Sequence, residues 1–228
     1  MSGPLQTDPT QTSITDTPES YDVARSEVVH RSGRVVDLRV DVVDMPGGSQ
    51  ATRDVVVHPG AVGIIALDAE DRVLLLQQYR HPVQQLLWEP PAGLLDQPGE
   101  DPLTAAQREL REEAHVQAAR WDVLVDAFTS PGMTTEAVRI YLAREISPAT
   151  GPRFEGEHEE QEMPVAWVPL DEAVSLLLRG ALHNPMAVMG IMATAVSRAE
   201  RFARLRPADA PWPQMSSYRG SAATVGGA

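Results

Sequence analysis

One junction narrows the possible folds more than any other stretch of this chain. Trp88-Glu89-Pro90-Pro91-Ala92-Gly93-Leu94-Leu95-Asp96-Gln97-Pro98-Gly99-Glu100 is a loop rich in glycine and proline, and it runs into LTAAQRELREEA, residues Leu103 to Ala114, a string of strong helix formers. Asp101 is placed to cap that helix, Pro102 fits its first position, and Ala106, Leu110 and Ala114 share one face. Glu109 and Glu113, four residues apart, stand one turn apart on another face, with Glu112 beside them. Like charges so placed repel, and they ask for a cation or for arginine partners. Arg108 and Arg111 alone would suffice on a solvated face. The loop tilts the balance towards an ion, because Gly93 and Gly99 permit backbone conformations in which main-chain carbonyls point at a cation held by the carboxylates.

Around this junction the pattern predicts a mixed α/β (α+β) fold of one domain with an arm and two tails. Val23 to Val29, Val35 to Val43 and Arg53 to Val57 read as strands, and Ala61 to Leu67 with Val73 to Tyr79 as a hairpin buried on both faces. After the helix come strands at about Trp121 to Ala127, Ala137 to Ala143 and Met163 to Val168. A helix from Asp171 to Leu178 is stopped by Gly180, and a last helix runs from Pro185 to about Phe202. Residues 1–20 are poor in large apolar side chains and are expected to be a disordered tail. Residues 21–58 form the strand arm, 59–205 the main domain, and 206–228 a flexible tail that Trp212 is able to fasten at its start.

Composition removes several classes of function. The longest apolar runs fall far short of a membrane span, so no membrane partner is expected. There is no cysteine, which excludes disulfides and thiolate metal sites, and no basic-then-apolar leader, which makes the cytoplasm the expected compartment. Lys and Arg number 19 against 32 Asp and Glu, a formal charge of −13, so nucleic acid is discounted as a partner. Small phosphates remain open to an acidic chain when arginines or carboxylate-bound divalent ions reverse the field locally.

Gly93, Glu100, Arg108, Glu109, Leu110, Glu112, Glu113 and Val116 resemble the signature box of the Nudix hydrolases. Two departures stand out: six residues separate Gly93 from Glu100 where the family has five, and His115 stands where the box has a glycine. The resemblance implies an α/β/α sandwich around a mixed sheet. It implies hydrolysis of a nucleoside diphosphate joined to another group, with Mg2+ (Mn2+ being possible) held by Glu109, Glu112, Glu113 and the Ala92 carbonyl. Arg108 would orient the glutamates.

Neighbouring strings resemble the ADP-ribose pyrophosphatase branch. Gln77-Gln78-Tyr79-Arg80 followed by Leu87-Trp88-Glu89 is similar to its substrate strand, which makes Arg80 the candidate for the diphosphate, although an arginine ending a strand is by itself a surface charge. Phe128-Thr129-Ser130-Pro131-Gly132-Met133-Thr134-Thr135-Glu136 is similar to its later loop, with Pro131 fifteen residues beyond Val116. Glu136 there either contacts substrate or braces the loop. In the acidic stretch 154–162 the resemblance implies a general base, best matched by Glu160 and next by Glu159. The arm implies a homodimer in which it helps form the adenosine pocket, where Trp88 is a candidate contact and core packing its competing role. The expected reaction is ADP-ribose and water to AMP and ribose 5-phosphate. Another nucleoside diphosphate sugar, or a catalytically weak ADP-ribose sensor, are the alternatives.

Overall fold

A computed structural model describes residues 14–31, 35–151, 163–213 and 215. The valine-rich N-terminal segments form an antiparallel meander of β1 (Val23–Arg31), β2 (Asp37–Asp44) and β3 (Gln50–Val57), in the order β1-β2-β3. Its outer strand exposes Val23 and Val29. The end of β3 is tied to the main domain, where the Val56 N–H donates to the Met133 carbonyl at 2.8 Å and the Thr135 N–H to the Val56 carbonyl at 3.0 Å.

The core is built on β4 (Ala61–Ala66), every residue of which is buried. Alternation explains this. Val62, Ile64 and Ala66 pack on one side with Leu110 of α1 (Pro102–Ala114) and with Tyr141, while Ile65 packs on the other with Ile140 and with Ile191 of α3 (Pro185–Ala199). Gly190 lets α3 approach closely, since a Cβ there would come within 2.7 Å of the Ile65 side chain. β4 sits in a five-stranded sheet ordered β11-β8-β9-β4-β7, with β7 (Ala92–Leu94), β8 (Val116–Phe128), β9 (Ala137–Pro148) and β11 (Arg206–Pro207). Its pairing with β9 is parallel and the others are antiparallel. A second sheet, β10-β5-β6, joins β5 (Arg72–Arg80), β6 (Gln85–Glu89) and β10 (Val165–Pro169), and α2 (Leu170–Leu178) packs near it. Helices on both sides of a mixed sheet give the expected sandwich.

The hairpin expected from Ala61 to Tyr79 is a correction. β4 and β5 share one bridge, Leu67 with Val73, and then part into different sheets. Both edges of β4 are already taken by β7 and β9, so β5 finds β6 and β10 instead. The end of β6 and the whole of β7 lie within the stretch expected to be loop, separated by Pro90 and Pro91, neither of which has an N–H for a ladder. The last helix ends at Ala199, short of Phe202, where Arg201 and Phe202 take positive φ.

The expected C-terminal tail is fastened at its start. Arg139, 2% exposed, bonds Asp126 through Nε (2.8 Å) and Nη2 (3.0 Å), donates to the Ala210 and Pro211 carbonyls, and lies 4.8 Å from the Trp212 ring. Among the described residues no helix is long and apolar enough to cross a membrane.

Candidate active site

Helix α1 is fixed at both ends. The Asp101 carboxylate accepts from the N–H groups of Leu103 and Thr104, both at 3.1 Å, and Pro102 sits inside the first turn. His115 ends the helix in the left-handed region at φ 53°, its N–H donating to the Arg111 carbonyl, so the departure from glycine there leaves the turn intact. Ala105, Ala106 and Leu110 are buried. That leaves the glutamates on the face towards β7.

There Arg108 organises them. Its Nε and Nη2 donate to the two Glu100 oxygens, each at 3.0 Å, and Nη1 donates to Glu109 Oε1 at 2.7 Å and Glu112 Oε2 at 3.0 Å. The hydrogen bonds it donates to Glu100, with Glu109 and Glu112 adding, raise the Arg108 pKa above its ordinary value, so the guanidinium stays charged. Glu113 Oε2 accepts the Ala92 N–H at 3.0 Å. Glu109 lies on Gly93 so closely that a Cβ there would meet its Cγ and Oε1 at 2.2 Å. The loop therefore carries a glycine where the carboxylate needs the space.

Arg108, Glu109, Glu113, Ala92 and Gly93 line a cavity of about 800 Å3. Glu109, Glu113, Ala92 and Gly93 form one wall. Arg80, Asn184 and Met186 contribute from β5 and the start of α3, and His58, Thr129 and Glu136 from the loops before β4 and β9. Glu136 accepts from Thr129 Oγ1 and stands 3.6 Å from His58 Nε2. Burial pushes the His58 imidazole below its ordinary pKa, with Glu136 partly opposing. Trp88 is not among the lining residues; it packs on the second core cluster with Leu75 and Ile65, and Leu87 lines the cavity in its place. Glu112 lies behind the wall, reaching it through Arg108. Glu159 and Glu160 fall outside the described residues.

The donor set suits a hard divalent cation. Asp96, Glu109, Glu113 and Glu136 line the cavity against Arg80 and Arg108, an excess of two negative charges. Both arginines are already in ion pairs, Arg80 with Glu89 and Arg108 with Glu100, Glu109 and Glu112. Such a cavity repels a diphosphate unless a cation intervenes. Among the described residues no three acids or histidines already converge as a ligand set.

Sequence reasoning missed four residues here. Glu89 holds Arg80, Asn184 holds Glu89, Glu100 holds Arg108, and His58 faces Glu136. Glu100 stood within the signature box, and Asn184-Pro185 is a helix-start signal. His58 and Glu89 carry no local mark of their role.

A NUDIX domain model matches residues 57–188. An ADP-ribose pyrophosphatase of Mycobacterium tuberculosis is 45% identical over 84% of this chain and 91% of its own length. An ADP-ribose pyrophosphatase of Bacillus subtilis is 36% identical, over 70% of this chain and 83% of its own length. Among solved structures, the crystal structure of an ADP compounds hydrolase superposes with a TM-score of 0.70 at 21% identity, covering 82% of this chain and 98% of that one, a likeness of fold.

Proposed function

Because the chain belongs to the Nudix family, we propose that it hydrolyses the pyrophosphate bond of ADP-ribose to AMP and ribose 5-phosphate, with Mg2+ as its metal. The observation that carries this reading is one cavity bringing Arg80 together with Glu109, Glu113 and the Ala92-Gly93 loop. The resemblance to two ADP-ribose pyrophosphatases supports the substrate.

Glu109, Glu113 and the Ala92 carbonyl would hold the ion, with Glu112 completing the acidic set. When bound, the ion supplies charge neutralisation at the diphosphate and lowers the pKa of a water for attack on phosphorus. Arg108 orients Glu109 and Glu112 and leaves substrate to Arg80. A planar fork of donors on Arg80 matches phosphate oxygens. Glu136, held by Thr129, faces the cavity as an acceptor for substrate hydroxyls. The exposed valines of β1 support a homodimer formed through the arm, and Val35, just before β2, already lines the cavity.

Turnover of purified protein with Mg2+ against ADP-ribose, GDP-mannose, UDP-glucose, NADH and diadenosine polyphosphates tests the assignment. The expected result is AMP and ribose 5-phosphate formed fastest from ADP-ribose. Faster turnover of GDP-mannose or UDP-glucose would move the substrate, and no turnover of any compound would remove the activity. Sedimentation of the same sample checks for the dimer.

A further inference from the structure

Glu89 is an acid in a place where a strand ordinarily carries an apolar side chain. It ends β6 at 2% exposed, and a buried carboxylate is costly unless it is both paired and hydrogen-bonded. Three bonds meet it. Arg80 donates through Nε to Oε2 at 3.1 Å and through Nη2 to Oε1, and Asn184 Nδ2 donates to Oε2 at 2.7 Å. The β5–β6 ladder does not bring Arg80 and Glu89 together of itself. Glu89 faces Leu76 across it, and Arg80 faces Gln85, so the Arg80 side chain reaches back along the hairpin to find the acid. A long side chain at a strand end has many rotamers, and this contact selects one.

Asn184 divides its work between two atoms. Its Oδ1 accepts the Ala187 N–H at 3.1 Å and so caps α3, a task Ser, Asp or Thr performs equally well. Its Nδ2 contributes nothing to the helix and is spent on Glu89. Arg80 and Asn184 both line the cavity, Glu89 lies behind them, and Arg80 Nη1 bonds no described residue.

We propose that Asn184 and Glu89 are positioning residues that set the Arg80 guanidinium for the diphosphate, with Asn184 Nδ2 locking the carboxylate that holds the arginine. This rests on the reading of the cavity as an ADP-ribose site. The start of α3 thereby becomes part of substrate recognition without touching substrate through its amide donor. Losing that donor frees Glu89 to rotate and Arg80 to wander, which weakens binding of ground state and transition state alike, so KM changes and kcat does not.

The experiment compares wild type, Asn184→Ser, Arg80→Ala and the double variant. It reads kcat and KM for ADP-ribose with Mg2+, the Kd of a non-hydrolysable methylene analogue of ADP-ribose by calorimetry with Mg2+, and the melting temperature. Ser keeps an oxygen for the cap and lacks the amide donor. Asn184→Ser is expected to raise KM and Kd about tenfold, the size of one weakened hydrogen bond to a charged group, with kcat within about twofold and melting lowered by a few degrees at most. In the Arg80→Ala background the same change is expected to add nothing. Wild-type KM and Kd in Asn184→Ser, or an equal loss with and without Arg80, would overturn the relay while the activity stood. Wild type that neither hydrolyses ADP-ribose nor binds its analogue would overturn the site reading and the relay together.

Discussion

Replacing Gly93 with alanine separates the needs of the site from those of the fold. Gly93 lies in β7 and is not among the glycines at positive φ, so alanine fits its backbone without strain. The nearest conflict is with Glu109: the added Cβ would stand 2.2 Å from Cγ and Oε1 and 2.3 Å from Cδ. Ordinary contact begins near 3.4 Å, so the carboxylate must retreat by about 1 Å or more. Arg108 Nη1 holds the same oxygen at 2.7 Å, and Arg108 is itself held by Glu100 and Glu112, so the retreat is away from the loop and strains this fan. A misplacement of that size costs roughly 100-fold in rate when the group positions the reacting atoms. Stability should move by no more than about 1 kcal/mol, a few degrees in melting temperature for a chain of this length. Steady-state kcat/KM on ADP-ribose with Mg2+, beside thermal unfolding, reads both. Activity within about threefold of wild type would show that Glu109 need not rest on Gly93 to work. A collapse in melting temperature would show that the glycine serves the fold instead. Gly99→Ala is the complementary control: its φ is +82° with nothing within 4 Å of the new Cβ, so it should lose about 1–2 kcal/mol of stability and keep its activity per folded molecule.

Glu113→Gln keeps an acceptor for the Ala92 N–H and removes the charge, so turnover should fall at least about 100-fold with the fold retained; undiminished turnover would remove Glu113 from the ion site. Asp101→Ala should cost about 1 kcal/mol through the lost cap of α1, read by denaturant midpoint, whereas Asp101→Asn should cost little. His58 carries a pH signature. Burial holds its folded pKa below the ordinary 6.5, so above that value stability is unaffected. Below it the unfolded chain takes up a proton that the folded chain does not, and stability falls by at most about 1.4 kcal/mol per pH unit until the folded imidazole titrates. Thermal melts from pH 7.5 to 5 should show a shallower loss in His58→Asn than in wild type, and parallel curves would clear His58 of the effect.

The parts of the fold that sequence made legible are those set by local chemistry. Asp101, Pro102 and the apolar face of α1 define that helix from cap to core, and Asn184-Pro185 and Gly180 mark boundaries in the same way. What stayed hidden depends on partners distant in the chain. The run from Ala61 to Tyr79 reads as a hairpin because its turn is good, and only the claims of β7 and β9 on the edges of β4 send β5 to another sheet. The carboxylates of α1 were legible because helical spacing fixes which residues share a face. Glu89 and His58 were not, because their roles come from Asn184 and Glu136, 95 and 78 residues further along. Of the two roles open to Trp88, the ring takes core packing, because the strand turns it to the second core cluster.

The same device appears twice in the cavity. Arg108 is neutralised by Glu100, Glu109 and Glu112, and Arg80 by Glu89, before any substrate arrives. An acidic chain that left these arginines free would gain affinity for every phosphate it met. Tied to carboxylates, they offer direction without net positive field, and the overall charge of −13 adds repulsion at longer range. On the proposed reading, recognition of a diphosphate comes from a divalent ion on Glu109 and Glu113 together with the few N–H groups left aimed at the cavity. Geometry of this kind discriminates between anions of similar charge and different shape, which a field cannot do. It also explains why the substrate is invisible in composition: the charges that would announce a phosphate site cancel within it, and what remains is the orientation of Arg80, set by an acid and an amide that touch no substrate atom through those bonds.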